Sequence, residues 1–175
     1  MKEFWKSEGL GILFTAALGS FGHFAYDLSK ENILVALFCP VNESTWEHLK
    51  LLFFPFLLFS LLRLFFSEKK SPVFATSIFS GVAAGLLFIP EAFYALLLMF
   101  GFHSLPTDIA IFLLSVVFSF AVCYLVQFRK APGFKGLSIL FLLILTGLFF
   151  IFTFAPPDTP LFQNPVTKGY GIQAL

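Results

Sequence analysis

The sequence predicts an all-α membrane protein: a bundle of five transmembrane helices with a short interfacial or re-entrant segment and a Pro-rich C-terminal tail. Three observations lead there. Charge is scarce, at 12% of 175 residues, about half the roughly 25% of a soluble domain. Phenylalanine is abundant: 28 rings are more than a soluble core of this size could hide, and lipid is the solvent that tolerates them. Third, five apolar stretches reach or approach the ~20 residues a spanning helix needs, in a chain of mean hydropathy +0.91. The net charge of +1, with no basic stripe, excludes a nucleic-acid partner. No soluble domain remains once the spans are removed, so residues 1–175 read as a single polytopic membrane domain without an internal repeat.

The first span covers residues 9–27. Lys2 and Lys6 ahead of it resemble the start of a signal peptide. The run is long, however, polar residues follow it closely, and no A-x-A site ends it, so it reads as a retained span. The apolar run 33–39 is too short to cross and reads as the interfacial or re-entrant piece, tolerable only where protein or water satisfies its backbone. The second span, 49–66, contains Pro55, which removes the bond to the Leu51 carbonyl. Arg63 near its far end is expected to snorkel. Spans at 73–100, 107–128 and 136–154 follow. In the tail, 155–175, Pro156, Pro157, Pro160 and Pro165 bar a helix. Leu161, Phe162 and Tyr170 could anchor it as a lid; a disordered tail is the other reading.

The positive-inside rule sets the orientation. Lys2, Lys6, Arg63, Lys69, Lys70, Arg129, Lys130 and Lys135 fall on one side, leaving Lys30, Lys50 and Lys168 on the other. The expected protein is multi-pass in a bacterial cytoplasmic membrane, with its N-terminus cytoplasmic and its C-terminus extracytoplasmic. Glu3, Glu8 and Glu68 lie inside. Asp27, Glu31, Glu43, Glu47, Glu91, Asp108, Asp158 and all three histidines gather toward the outer face, which suggests a site there. Cys39 and Cys123 cannot pair: about 24 Å of helix separates their levels, against the ~7 Å a disulfide allows.

The chemistry concentrates in Pro40-Val41-Asn42-Glu43-Ser44-Thr45-Trp46-Glu47-His48-Leu49-Lys50. Helical spacing would put Glu43 and Glu47 one turn apart on one face. His23 and Asp27, at i, i+4, end the first span. Facing helix ends that carry imidazoles and carboxylates are how bundle metal sites are made, and the donor set suits Zn, Mn or Fe. The expected ligands are His23 and His48 with Asp27, Glu43 and Glu91. Glu47 is the expected general base, with Asn42, Trp46 and Lys50 on the substrate. The same residues also admit a plainer reading. Ser44 to Glu47 fits a capping box, Glu47–Lys50 and Asp27–Lys30 fit i, i+3 pairs, and Trp46 fits an interfacial belt.

Glu91 follows Pro90 about 28 Å along its span. A carboxylate at that depth is expected to face the bundle interior, close to the second span. His103, in a short turn, ranks below the other histidines.

The run PVNESTWEHLK, with HFAYD upstream and the ending PLFQNPVTKGYGI, resembles a family of small, uncharacterised integral-membrane proteins of Firmicutes, a domain of unknown function. The likeness extends over nearly the whole chain, and the undecapeptide is its specific part. It implies a bacterial inner-membrane setting and points to Asn42, Glu43, Trp46, Glu47, His48 and Lys50, but supplies no reaction. No HExxH, G-x-S-x-G, P-loop or CxxC pair is present.

The function these observations favour is a metal-dependent hydrolase of a lipid-like or small amphiphilic substrate. A non-catalytic membrane partner or assembly protein, and a subunit of an ion- or proton-coupled transporter, are the alternatives. The lipid bilayer is the one partner composition implies; the oligomeric state is not legible.

Overall fold

The computed structural model describes residues 2–66, 73–101, 104–129 and 133–174. His103 and the charged residues Glu68, Lys69, Lys70 and Lys130 lie outside them. Five helices are long and apolar enough to cross a membrane, and the protein is a multi-pass all-α bundle. The elements run α1 (Lys2–Leu28), α2 (Ile33–Ala36), α3 (Thr45–His48), α4 (Lys50–Phe66), α5 (Phe74–Phe100), α6 (Leu105–Phe128) and α7 (Lys135–Phe154), closed by a 3-10 turn at Gly171–Ala174. The second span begins earlier than apolarity alone suggests. Ser44 caps α3, and α3 leads directly into α4, so the spanning unit is Thr45–Phe66.

The bundle exposes large apolar side chains such as Phe65, Leu87 and Leu98. That surface is suited to lipid, which offers no penalty for it. Its interior is lined by Leu52, Phe53, Phe56, Val82, Val116, Phe120 and Phe149. The closest helix pairing is α5 on α6. Gly81 and Gly85, four apart, face Ser115, Ser119 and Cys123, also spaced by four. A Cβ on Gly81 would stand 2.6 Å from the Ser119 carbonyl, and one on Gly85 would collide with the Ser119 hydroxyl. Small residues at this spacing let two backbones approach, which is how membrane helices gain packing energy without a hydrophobic drive between them.

A second close approach positions the site. Pro55 leaves the Leu51 carbonyl without its helical partner. Gly19 of α1 packs against that oxygen, so that a Cβ there would lie 2.5 Å from it. Gly22 touches the Leu51 side chain in turn. His23 follows Gly22, and His48 lies one turn before Leu51, so this contact brings the two histidines together.

At the opposite end of the bundle Arg63 does not snorkel. Its guanidinium pairs with the buried Glu8 carboxylate and sits 5.7 Å over the Phe74 ring. Glu8 is 3% exposed. An unpaired carboxylate buried there would be very costly, which outweighs the gain from reaching toward water.

Glu91 also departs from expectation. Helix α5 runs unbroken through Pro90 to Gly101, whose φ of 72° ends it. The inward positions near this level are Leu86 and Ile89. Glu91 is two residues past Ile89, about 200° round the helix, and is exposed. It is not an interior carboxylate.

Candidate functional site

All of the site's parts lie at the end of the bundle where α1, α5 and α7 finish and α3 and α6 begin. The motif folds locally through its small polar residues. The Asn42 side-chain oxygen accepts from the Ser44 backbone N–H at 2.8 Å. The Ser44 hydroxyl accepts from the Glu47 N–H at 3.4 Å, half of a capping box. The helix therefore starts at Thr45, and Glu43 precedes it. The expectation that Glu43 and Glu47 share a helix face fails for this reason, and the two carboxylates enter different surroundings.

Glu47 turns inward. Its carboxylate accepts from the Val41 N–H at 3.1 Å and from the Lys50 ammonium at 2.6 Å. Lys50 is wholly buried. It also donates to the Ala36 carbonyl at 2.9 Å, to the Thr153 hydroxyl at 2.6 Å and, more weakly, to the Cys39 carbonyl at 3.5 Å. This one cation thus binds two backbone carbonyls of the short segment between the first two spans. Burial pushes the Cys39 thiol above its ordinary pKa despite the pull of the Lys50 charge, which disfavours the thiolate.

Four residues with expected roles stand in other surroundings here. Glu47, expected as general base, and Lys50, expected on the substrate, are paired with each other, and neither lines the cavity beside the histidines. The Asn42 amide, expected on the substrate, donates instead to the Gly171 carbonyl at 2.9 Å and ties down the tail. Trp46, expected on the substrate, packs its ring between Phe149 and Phe162, with centroids at 4.9 and 4.8 Å and planes tilted by 36° and 34°, and its backbone N–H donates to the Leu161 carbonyl at 3.0 Å.

The tail is thus an ordered cap. Phe162 is buried, Gln163 and Tyr170 bridge, and Gly171, with φ of 61°, admits no Cβ because the Thr153 carbonyl lies 2.9 Å from where it would be.

His23, Glu43 and His48 converge. One ligand atom from each lies within 4.8 Å of the others. The imidazole centroids are 5.1 Å apart, and His48 Nε2 is 3.5 Å from the Glu43 carboxylate. His48 Nδ1 lies 2.9 Å from the Ser44 carbonyl. A carbonyl only accepts, so the proton sits on Nδ1 and the Nε2 lone pair is left for a ligand. A backbone carbonyl fixing the tautomer in this way is the usual outer-shell arrangement of metal-binding histidines. His23 Nδ1 is buried with no hydrogen-bond partner among the described residues. Two imidazoles and a carboxylate fit a Zn, Mn or Fe ion, and side-chain rotation can close 4.8 Å to the roughly 3.3 Å between donors on one tetrahedral ion.

Asp27 and Glu91 do not join this group. Asp27 is exposed, because α1 turns Tyr26, 3% exposed, toward the bundle instead.

The cluster borders a cavity of about 420 Å³. Leu51, Ile89, Phe93, Leu97, Ile111 and Phe112 make its apolar wall, and Glu43, His48, Asp108, Gln163 and Lys168 its polar part. Sequence reasoning placed Asp108 and Lys168 on this face without assigning them to the site, and gave Gln163 no role. Asp108 stands in the first turn of α6 beside a Ser104–Thr107 capping box, where an acid needs no explanation beyond the helix dipole. Its charge nonetheless acts on His48. The tail residues carried no periodicity that could have assigned them.

The chain belongs to DUF6512, a family of unknown function whose model matches residues 1–172. No curated protein and no solved structure matches it.

Proposed function

We propose that the protein is a metal-dependent membrane hydrolase acting on a lipid-like or small amphiphilic substrate at the extracytoplasmic face of a bacterial cytoplasmic membrane. The observation that carries this reading is the convergence of His23, Glu43 and His48 beside an apolar cavity. Two histidines and a glutamate are a catalytic zinc set, which keeps a coordination position open for water. A divalent ion so held supplies a Lewis acid and water acidified to a pKa near ~7. The remaining steps belong to the chain. Asp108, on the cavity wall, holds the proton released as the water oxygen bonds to the acyl or phosphoryl centre. It returns that proton to the leaving oxygen as the ester bond breaks. The wall of α5 and α6 takes the apolar part, and the tail excludes bulk water.

Neither alternative gains comparable support. The carrier reading leaned on an inward Glu91, and that residue is exposed.

Elemental analysis tests the centre. Purified wild type should carry roughly one Zn, Mn or Fe per chain, and the E43Q/H48A double variant none. Metal-free wild type after metal-replete expression would sink the proposal.

A further inference from the structure

Resting on that reading, we propose that the substrate is a phosphate-headed amphiphile, and that Lys168 on the tail is its headgroup clamp. Among the described residues that line the cavity, Lys168 is the single Lys or Arg, and its ammonium makes no ion pair among the described residues. The two cations held inside the bundle are used otherwise: Lys50 and Arg63 are each paired with a buried carboxylate.

The backbone argues that this placement is selected. Lys168 has φ of 62°, a left-handed conformation costly for a residue with a Cβ. Gly169 stands next to it and would fill such a position at no cost. The strain is over-determined by Asn164, which is 5% exposed. The Asn164 carbonyl accepts from the Lys168 N–H at 2.9 Å, and its side-chain oxygen accepts from the Val166 N–H at 2.9 Å. Gln163 Nε2 donates to the Lys168 carbonyl at 3.2 Å. The tail itself is fastened by Asn42 and by the Trp46 backbone. The result is a rigid arm that carries one lysine to the cavity.

Charge selects the ligand. A divalent ion held by His23, Glu43 and His48 would be offset by the Glu43 and Asp108 carboxylates. Lys168 would then leave the site one positive charge in excess, from a metal and an ammonium about one cavity. That pair is the clamp that stabilises a phosphoryl group. The apolar wall opposite asks for a hydrocarbon chain, and a cavity of about 420 Å³ falls within the range of small-ligand sites. In the reaction, water oxygen bonds to phosphorus, the bond from phosphorus to the chain oxygen breaks, and the water proton passes to that oxygen. The products are an alcohol and inorganic phosphate.

The test uses the full-length protein in phosphatidylcholine nanodiscs, with metal content measured beside calorimetric titration of hexyl phosphate, inorganic phosphate and hexanol. Hexyl phosphate should bind most tightly. K168A should weaken it by about tenfold, the loss of one charge-assisted contact, with metal content unchanged, and K168R should restore it. Hexyl phosphate affinity unaltered in K168A, hexanol binding as tightly, or no hexyl phosphate binding at all would each overturn the clamp. Metal-free protein that still loses hexyl phosphate on K168A would instead overturn the metal reading and leave the clamp standing.

Discussion

Replacing Lys50 by Met removes one ammonium and strands the Glu47 carboxylate together with the carbonyls of Ala36 and Cys39. Breaking a buried pair from one side costs about 3–5 kcal/mol, so K50M should melt far below wild type in detergent. E47Q keeps a hydrogen-bond acceptor for Lys50 and should cost less. Neither change should remove a metal held by His23, Glu43 and His48 from the chains that remain folded. Metal loss in folded E47Q would return Glu47 to the site. The sequence could not separate these roles. Glu43, Glu47, His48 and Lys50 are equally polar and equally close to a membrane edge, and one decision, helix initiation at Thr45, sends Glu43 toward the histidines and Glu47 toward Lys50. Asn42 and Ser44 enforce that start with short side chains. His23 was legible because it lies at the same depth as the motif; Asp27 was not, since i, i+4 spacing fixes a face of α1 but not which face packs.

At the scale of elements, the spans were readable from apolar length. The seams between helices were not, because Gly and Ser scattered through Phe- and Leu-rich runs carry no obvious period. Gly85 and Gly19 test two of these seams. G85V forces a side chain onto the Ser119 hydroxyl, and overpacking of this kind costs about 1–3 kcal/mol. G147V is the control, for a Cβ there meets nothing within 4 Å. Denaturant unfolding in mixed micelles should show a lower midpoint for the first and no change for the second. G19V should act differently again. By pushing α1 off the Leu51 carbonyl it separates His23 from His48, so metal content should fall beyond what the loss of folded protein explains. Full metal occupancy in folded G19V would mean that this contact does not position the histidines.

For the molecule as a whole, the basic residues predict the capped end outside and the amino terminus within. Single-cysteine variants at Ser71, Ser104 and Gln173, in a background without Cys39 and Cys123, test this with a membrane-impermeant thiol reagent. Intact cells should label at positions 104 and 173 and stay unlabelled at 71 until lysed. Labelling at 71 in intact cells reverses the orientation and puts the cavity on the cytoplasmic side. The tail is the part least accessible to sequence reasoning: its prolines exclude a helix and leave everything else open, because what orders it is Trp46, Asn42 and Gly171 meeting across the chain.

Lys50 and Thr153 are 103 positions apart. At a synthesis rate of roughly 5–20 residues per second, the lysine leaves the ribosome about 5–20 s before its hydroxyl partner exists. In that interval the cation has Glu47 beside it but no seventh helix to enclose it, while α5 and α6 are still being threaded into the bilayer. The contact that seals the finished bundle can therefore form only once the seventh helix has been made, late in synthesis.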